Sequence, residues 1–269
     1  MKYSKRKEKA AYTPVRRLLN RIKRRAGIIP KRMDVSFVTI NNQHYKRIKF
    51  IDNFTSQQAY STLEELADYG RFPKALVQHE NELWVEYMQG RLMSNMSDSL
   101  CPEFAGLYAD LYTNSPHQVC AKKFLAHIEI NLDFLQKIDI IDYRQQQKLL
   151  SLLGRITPQK IWIGYDYADA ILSNFLIERN TNKLLAIDID SIRHDCLMGT
   201  GLAKANTIWM QDHHLDTIIN LMKQQKTPNF SQDLQFVKLH FRSEWLKSLF
   251  LRNKRKSLET NRNILLELL

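Results

Sequence analysis

A short pattern of polar side chains around two apolar runs constrains this chain more than any other feature. Asp169 is followed five residues later by Asn174, and the apolar run Phe175–Ile177 comes next. A polar stretch separates it from a second apolar run that ends at Asp188. Two apolar runs joined by a polar turn predict a β-hairpin. That hairpin would bring together carboxylate and amide oxygens, which are the ligands that Mg²⁺ prefers.

Length and composition indicate an ordinary globular protein. With 269 residues, 44% of them hydrophobic, the chain can build one large domain or two lobes around a sizeable core. Its three cysteines are odd in number and far apart, which argues against a disulfide framework or a zinc knuckle. No apolar run approaches the roughly 18 residues that span a bilayer. We therefore expect a cytoplasmic protein.

The positive charge is concentrated at the N-terminus. Residues 1–33 contain 13 Lys and Arg and one Glu, which accounts for the whole net charge of +12. Thr13 and Pro14 predict the start of an amphipathic helix that Gly27 would end. A basic helix of this kind can bind an anionic membrane surface, so a peripheral position on the inner face of the membrane is one prediction. Docking on the protein body and nucleic-acid binding are the alternatives, and the lack of interleaved aromatic residues makes nucleic acid unlikely as a partner.

Residues 34–90 predict a small lobe with the order strand, strand, helix, strand, strand. The first hairpin, 35–40 and 44–51, turns at Asn41-Asn42. A helix follows that Thr55 would cap, with Gln58 completing a weak capping box, and that Gly70 would end. The second hairpin, 75–79 and 83–88, turns at Glu80-Asn81.

Beyond Gly90 the pattern becomes helical and defines a larger lobe, residues 91–269. Two short strands around Phe175 and Leu185 interrupt it. The helices are predicted at 101–113, 116–136, 143–154, 201–225 and 230–250.

This order, together with the segment Tyr167-Ala-Asp169-Ala-Ile-Leu-Ser-Asn174, resembles the protein-kinase-like superfamily over roughly residues 35–225. The closer branch looks like bacterial lipopolysaccharide-core sugar kinases, near the aminoglycoside phosphotransferases. The resemblance implies an α+β, two-lobed fold with a small β-rich N-lobe and a larger helical C-lobe. It also implies ATP and Mg²⁺ as cofactors, with a sugar, a lipid-linked saccharide or another small molecule as acceptor.

The resemblance assigns roles to individual residues. Asp169 would take the proton of the acceptor hydroxyl, whereas Asn174 and Asp188 would bind the metal. Lys49, in an apolar-Lys-apolar strand, would hold the nucleotide phosphates, with Lys46 on the opposite face as the alternative. Glu64 is the candidate for the helix carboxylate that pairs with this lysine.

Three departures from the family pattern leave a catalytically silent module open. Residues 35–45 contain no glycine, so phosphate cover would have to come from Asn41-Asn42 or from side chains. Tyr167 replaces the family's histidine, and no Glu lies at the centre of the predicted helix face. A helical nucleic-acid-binding protein, in which the Asp/Asn/Asp spacing is accidental, is the third reading.

Two other polar groups compete for a functional role. Asp166 is a rival of Asp169, but it lies eight residues from Asn174 and is expected to be a loop carboxylate. The run Asp212-His213-His214-Leu-Asp216 could bind a metal. Because adjacent histidines should point to different helix faces, surface residues of a helix are the favoured interpretation.

Overall fold

The computed structural model describes residues 33–225 and 227–269, so the predicted N-terminal basic helix lies outside the described residues. The chain divides into two compact units. Among the described residues, the first consists of 33–90 together with Leu185–Ile189, and the second of Arg91–Leu184 and Asp190–Leu269. The predicted C-lobe range, 91–269, includes the five residues that return to the first unit.

The first unit contains one antiparallel sheet of four strands in the order β1-β2-β4-β3. Its elements are β1 (Met33–Ile40), β2 (Gln43–Phe50), α1 (Asn53–Glu65), β3 (Ala75–His79) and β4 (Glu82–Glu86). Asn41 and Asn42 have φ values of 51° and 62°. Asparagine tolerates this left-handed backbone, so the pair forms the two-residue turn that was predicted from the sequence.

Helix α1 begins earlier than its sequence predicts. Asp52 is the N-cap, and its side chain accepts a hydrogen bond from the backbone N–H of Thr55 at 2.7 Å. The predicted cap at Thr55 is therefore wrong, because an aspartate three residues upstream satisfies the first-turn donors. Leu63 and Leu66 are fully buried, and a 3-10 turn leads to Gly70, which has φ 60°.

The second unit is mainly helical. Its helices are α2 (Cys101–Tyr112), α3 (Lys122–Lys137), α4 (Tyr143–Ile156), α5 (Thr200–Ile208), α6 (Asp212–Lys223), α7 (Leu234–Leu251) and α8 (Arg255–Leu266). Its strands are β5 (Arg91–Leu92), β6 (His117–Cys120), β7 (Lys160–Tyr167), β8 (Phe175–Ile177) and β10 (Ile192–Leu197). Strand β9 (Leu184–Ala186) begins in the second unit and ends in the first.

A large apolar core lies between helices α3, α4 and α7 and holds the second unit together. Its fully buried members include Ile128, Leu132, Leu135, Leu149, Phe236, Val237, Leu239 and Leu246. Burying each such side chain stabilises the fold by roughly 1.5–3 kcal/mol before the cost of chain ordering. No helix in the described ranges has the length and apolar character that crossing a membrane requires.

Several predicted elements have different boundaries in the structure. The predicted helix 116–136 is wrong at its start, because His117–Cys120 forms β6 and pairs with β7. The predicted helix 201–225 is two helices, α5 and α6. The first ends before Trp209, whose φ of −153° is not helical. Strands β7 and β10 and helix α8 were not predicted. Both faces of β7 are buried near its end, which removes the alternation that identifies a strand.

Candidate active site

The segment that links β7 to β8 holds Asp169 and Asn174 in a tight loop. The side chain of Asn174 is buried, and its Nδ2 donates to the backbone carbonyl of Asp169 at 2.9 Å. The same amide group donates to the Oγ of Ser191 at 3.2 Å. These two bonds use the amide's two N–H donors and fix its direction, so Oδ1 is the acceptor atom of this side chain.

Tyr167, at the end of β7, supports this loop by a hydrogen bond and by ring packing. Its side chain is completely buried, and its hydroxyl donates to the backbone carbonyl of Asn174 at 3.2 Å. The ring packs on Phe175, with 5.2 Å between ring centroids. This hydrogen bond thus ties the end of β7 to Asn174, the last residue of the loop.

Strand β10 and Trp209, the residue after α5, also contact the loop. Ile192 pairs with Tyr167 in the antiparallel β10–β7 ladder, and the N–H of Ala168 donates to the carbonyl of Ser191 at 2.8 Å. The indole N–H of Trp209 donates to the carbonyl of Ala170 at 2.8 Å. The backbone of the loop is therefore bonded on both sides of Asp169.

Asp169 forms an ion pair with Lys204 of α5. The aspartate side chain is 46% exposed, whereas the lysine side chain is only 12% exposed. The Nζ of Lys204 also lies 5.5 Å from the ring centroid of Trp245, a cation–π distance. Sequence reasoning missed Lys204, because a single lysine 35 residues away carries no signal that it meets Asp169.

Asp166 is not a loop carboxylate, and that prediction is wrong. It lies in β7 and is completely buried. Its carboxylate accepts hydrogen bonds from the Tyr112 hydroxyl at 2.8 Å and from the N–H groups of Gly199 and Gly201 at 2.8 and 2.9 Å. Burial raises the pKa of Asp166 to about 7, although these bonds act in the opposite direction. Asp166 therefore anchors the start of α5 to the end of β7.

Glycine is required at position 201 of this anchor. A Cβ added to Gly201 would lie 2.2 Å from the carbonyl oxygen of Tyr167 and 2.7 Å from Oδ1 of Asp166. Both neighbours are held by the same strand, so they could not move apart without distorting the loop that follows. The close approach of α5 is thus part of how the loop is placed.

The predicted strands around Phe175 and Leu185 are confirmed as β8 and β9. Their turn is closed by a hydrogen bond from the N–H of Glu178 to the carbonyl of Lys183 at 2.9 Å. In the second unit, the N–H of Leu184 donates to Oε2 of Glu103 at 3.1 Å.

Asp188 follows β9 and is half-buried in the first unit. In the same unit, the N–H of Ala186 donates to the carbonyl of Arg71 at 2.9 Å, which fixes the strand that leads to Asp188. The Nζ of Lys46 donates to the carbonyl of Ile187, the preceding residue, at 2.8 Å. Lys46 shares the inner face of β2 with Ile48, which is 1% exposed.

Lys49, the first choice from the sequence, lies on the other face of β2. Its side chain is 54% exposed, and its Nζ lies 3.4 Å from Oε1 of Glu82, the cross-strand partner. Arg47 also binds Glu82, and this bond holds the pKa of the glutamate below its usual range. The structure therefore brings Lys46 to the Asp188 segment and leaves Lys49 in a surface ion network.

Glu64 lies on the exposed side of α1. The neighbouring Leu63 is completely buried, so the two side chains point in directions about 100° apart on the helix. The structure does not bring Glu64 to the inner face that Lys46 and Ile48 share.

The histidines at the start of α6 also differ from expectation. His213 and His214 do not point to different faces: their ring centroids are 3.9 Å apart, and both rings approach Asp98. The two rings meet because each turns its Nε2 toward Asp98, at 3.6 Å from His213 and 3.3 Å from His214. Asp212 instead accepts a hydrogen bond from Asn206 at 2.8 Å, and Asp216 is exposed.

Comparison with solved structures defines the fold. A β-rich unit followed by a helical unit, with the Asp169–Asn174 loop and the β8–β9 turn in that order, is a protein-kinase-like fold with a small N-lobe and a larger C-lobe. No protein-family model matches the chain, and no curated protein matches it.

Three solved structures illustrate the likeness. A macrolide 2'-phosphotransferase from Brachybacterium faecium has a TM-score of 0.59 and 9% identity, with 90% of this chain and 89% of that chain covered. A choline kinase from Streptococcus pneumoniae gives 0.57 and 12%, with 91% and 96% covered. An ADP-bound aminoglycoside phosphotransferase gives 0.51 and 14%, with 94% and 97% covered. At these identities the likeness establishes the fold, and the activity is a matter for proposal.

Proposed function

We propose that this protein is an ATP- and Mg²⁺-dependent phosphotransferase that acts on a hydroxyl group of a sugar or another small molecule. The observation that carries the proposal is the loop in which Asn174 is held by Asp169 and Ser191 and braced by Tyr167. This loop occurs in a fold that is shared with phosphotransferases of small molecules. Phosphoryl transfer needs mainly positioned reactants and neutralised charge, which a rigid loop can supply.

Asp169 is the group that we assign to the acceptor hydroxyl. It is half-exposed, and its backbone carbonyl is fixed by Asn174. A carboxylate in this position accepts the hydroxyl proton as the oxygen attacks the γ-phosphoryl group. The partner cation Lys204 orients the carboxylate and adds positive charge where the phosphoryl group would be transferred.

Asn174 and Asp188 are the proposed metal ligands. The donor set fits Mg²⁺, because the ion takes carboxylate and amide oxygens and the Asn174 amide is already oriented by two hydrogen bonds. When bound, Mg²⁺ neutralises charge on the transferred phosphate. The two residues would hold it, with Asp188 kept in position by the strand that Ala186 ties to Arg71.

Lys46 is the residue that we assign to the nucleotide phosphates. Its ammonium group already bonds to the carbonyl next to Asp188, and it lies on the inner face of β2. Lys49 is neutralised by Glu82 on the outer face and serves as the matched control. Glu64 is not needed for this arrangement, since it lies on the exposed side of α1.

The acceptor is proposed as an alcohol of a small polar molecule. The similar structures are named for a macrolide 2'-position, for choline and for an aminoglycoside, so their shared chemistry is transfer to such a group. A lipopolysaccharide-core or other lipid-linked envelope saccharide is the more specific proposal. It rests on the 13 basic residues within 1–33, which suit an anionic membrane surface on the cytoplasmic side.

Nucleotide binding tests the proposal first. Thermal unfolding should shift upward with ATP and Mg²⁺ together, and Asp188→Ala should abolish the shift. Lys46→Ala should reduce it strongly, whereas Lys49→Ala should leave it close to wild type. ADP release should then depend on one member of a panel of macrolide, aminoglycoside, choline and core-saccharide acceptors. A wild-type protein that shows no shift with ATP and Mg²⁺ would overturn the proposal.

A catalytically silent module is the second candidate, and the Asp169–Lys204 ion pair favours it. A carboxylate already paired with a largely buried cation is less available to a hydroxyl group than a free one. This reading expects ATP binding without ADP release for every acceptor. It also expects that residues 1–33 bind membrane or a partner, so flotation with anionic phospholipid vesicles should disappear when they are removed.

A further inference from the structure

A cluster of three metal-binding side chains lies in the second unit, apart from the residues assigned to phosphoryl transfer. It consists of Asp98, His213 and His214, whose ligand atoms all lie within 4.8 Å of one another. Asp98 begins the 3-10 turn Asp98–Leu100, and the histidines lie in the first turn of α6. The cluster therefore joins two segments more than 100 residues apart in the sequence.

The imidazoles of His213 and His214 both approach the same carboxylate oxygen of Asp98. The Nε2 of His214 lies 3.3 Å from Oδ1 of Asp98, and the Nε2 of His213 lies 3.6 Å from the same atom. A charge-assisted hydrogen bond would be about 2.7–2.9 Å long, so these distances are too long for strong bonds. Ligands at about 2.0–2.2 Å from a tetrahedral metal lie about 3.3–3.6 Å from each other. The two distances from the carboxylate oxygen match ligand atoms around a common ion, and all three ligand atoms lie within 4.8 Å of one another.

His214 provides a second observation. Its side chain is only 10% exposed, and its Nδ1 is buried with no hydrogen-bond partner among the described residues. Buried polar atoms usually have a partner, so the described contacts leave this imidazole held only through its other nitrogen. The only ion pair described for that other nitrogen is with Asp98, whose side chain is 87% exposed. A metal ion bound at Nε2 would replace this long contact to an exposed carboxylate with a direct bond.

We propose that Asp98, His213 and His214 form a binding site for a divalent transition-metal ion such as Zn²⁺. Two imidazole nitrogens and one carboxylate favour Zn²⁺ and its neighbours over Mg²⁺, which takes oxygen ligands. Water completes the coordination, since Asp98 and His213 are exposed to solvent. The ion ties the Asp98–Leu100 turn to α6 and stabilises the second unit in proportion to its occupancy.

Equilibrium dialysis of tag-free protein against Zn²⁺, without nucleotide, tests this site. The wild type should bind one ion that His213→Ala and Asp98→Asn each weaken at least about tenfold, since loss of even an outer-shell partner commonly costs about 10–100-fold. Both residues are exposed, so these variants should keep the fold. Co²⁺ should give visible absorption bands in the wild type that His213→Ala removes.

Three control variants separate this site from other metal binding. His79→Ala removes an exposed histidine of the first unit, Cys120→Ser removes the exposed thiol, and Asp188→Ala removes the proposed magnesium ligand. All three should bind Zn²⁺ like the wild type. Unchanged binding by His213→Ala and Asp98→Asn, or loss of binding in any control, would overturn the proposal. Because no nucleotide is present, the result is independent of the phosphotransferase assays.

Discussion

Asp166 and Asp169 lie three residues apart at the end of β7, yet their surroundings differ completely. Asp166 is fully buried and accepts three hydrogen bonds from Tyr112, Gly199 and Gly201. Asp169 is half-exposed and pairs with the cation of Lys204. The first arrangement fits a carboxylate that holds two segments together, and the second fits one that can meet a substrate. Spacing to Asn174 selects Asp169, whereas only burial reveals what Asp166 does.

The largest difference should appear in activity. Asp169→Asn keeps the shape of the side chain but removes the proposed base, so phosphotransfer to the acceptor should fall by about 10²–10⁴-fold. Its free energy of unfolding should change by about 1 kcal/mol at most, since the Lys204 pair is partly exposed. Steady-state ADP release and urea unfolding measure the two quantities. Full activity in Asp169→Asn would contradict the assignment of Asp169, as opposed to Asp166, to the acceptor hydroxyl.

The next largest effect should appear in stability. Asp166→Ala leaves the Tyr112 hydroxyl proton and the N–H group of Gly201 buried without their acceptor, whereas the N–H of Gly199 keeps the Tyr112 oxygen at 2.7 Å. Each of these two orphaned groups costs about 1–3 kcal/mol, so the free energy of unfolding should fall by about 2 kcal/mol or more. Urea unfolding followed by circular dichroism measures it, with Asp169→Ala as the matched control. Equal losses in both variants would mean that the two carboxylates share one role.

The pH dependence of stability separates the two carboxylates further. The folded-state pKa of Asp166 is raised to about 7, above its unfolded value near 3.8. The native state therefore holds a proton that the unfolded chain releases between these values, and stability falls as pH rises toward 7. The slope is at most about 1.4 kcal/mol per pH unit and levels off above pH 7. Urea unfolding at pH 5 and 7 should show this loss in the wild type and not in Asp166→Asn.

The smallest effect concerns Tyr167, which lies between the two aspartates in the sequence and donates a hydrogen bond to the carbonyl of Asn174. Tyr167→Phe removes the hydroxyl that donates to the carbonyl of Asn174, and should lower the free energy of unfolding by about 1 kcal/mol. Turnover should fall while the structure is kept, because the loop loses a tie. Tyr143→Phe, at an exposed position, is the control and should be neutral in both assays. A neutral Tyr167→Phe would show that packing on Phe175 alone places the loop.

Much of the fold could be predicted because local signals agree with it. Asn41-Asn42 specifies a tight turn by its tolerance of positive φ, and the apolar runs around Phe175 and Leu185 identify β8 and β9. Strand β7 escaped prediction because its last residues, including Asp166, are buried on both faces. Strand β10 escaped because it contains Arg193, His194 and Asp195, which are not typical of a strand.

The candidate site was only partly accessible from the sequence. Asp169 and Asn174 stand in one local segment, so their spacing is visible. Lys204 is brought to Asp169 by a helix 35 residues later, and no local pattern encodes such a pairing. The choice between Lys46 and Lys49 was open, although Ile48 and Phe50 are on the same strand face as Lys46. Their complete burial decides which lysine faces inward.

The return of Leu185–Ile189 to the first unit has a consequence for biosynthesis. Ala186 bonds to Arg71 and Ile187 to Lys46, so part of this unit is supplied about 100 residues after the rest of it. A nascent chain leaving the ribosome cannot complete its first unit until most of the second has been translated. The first unit therefore cannot finish folding during synthesis before the second unit begins to emerge. Stalled translation products that end before residue 185 should be substrates for chaperones.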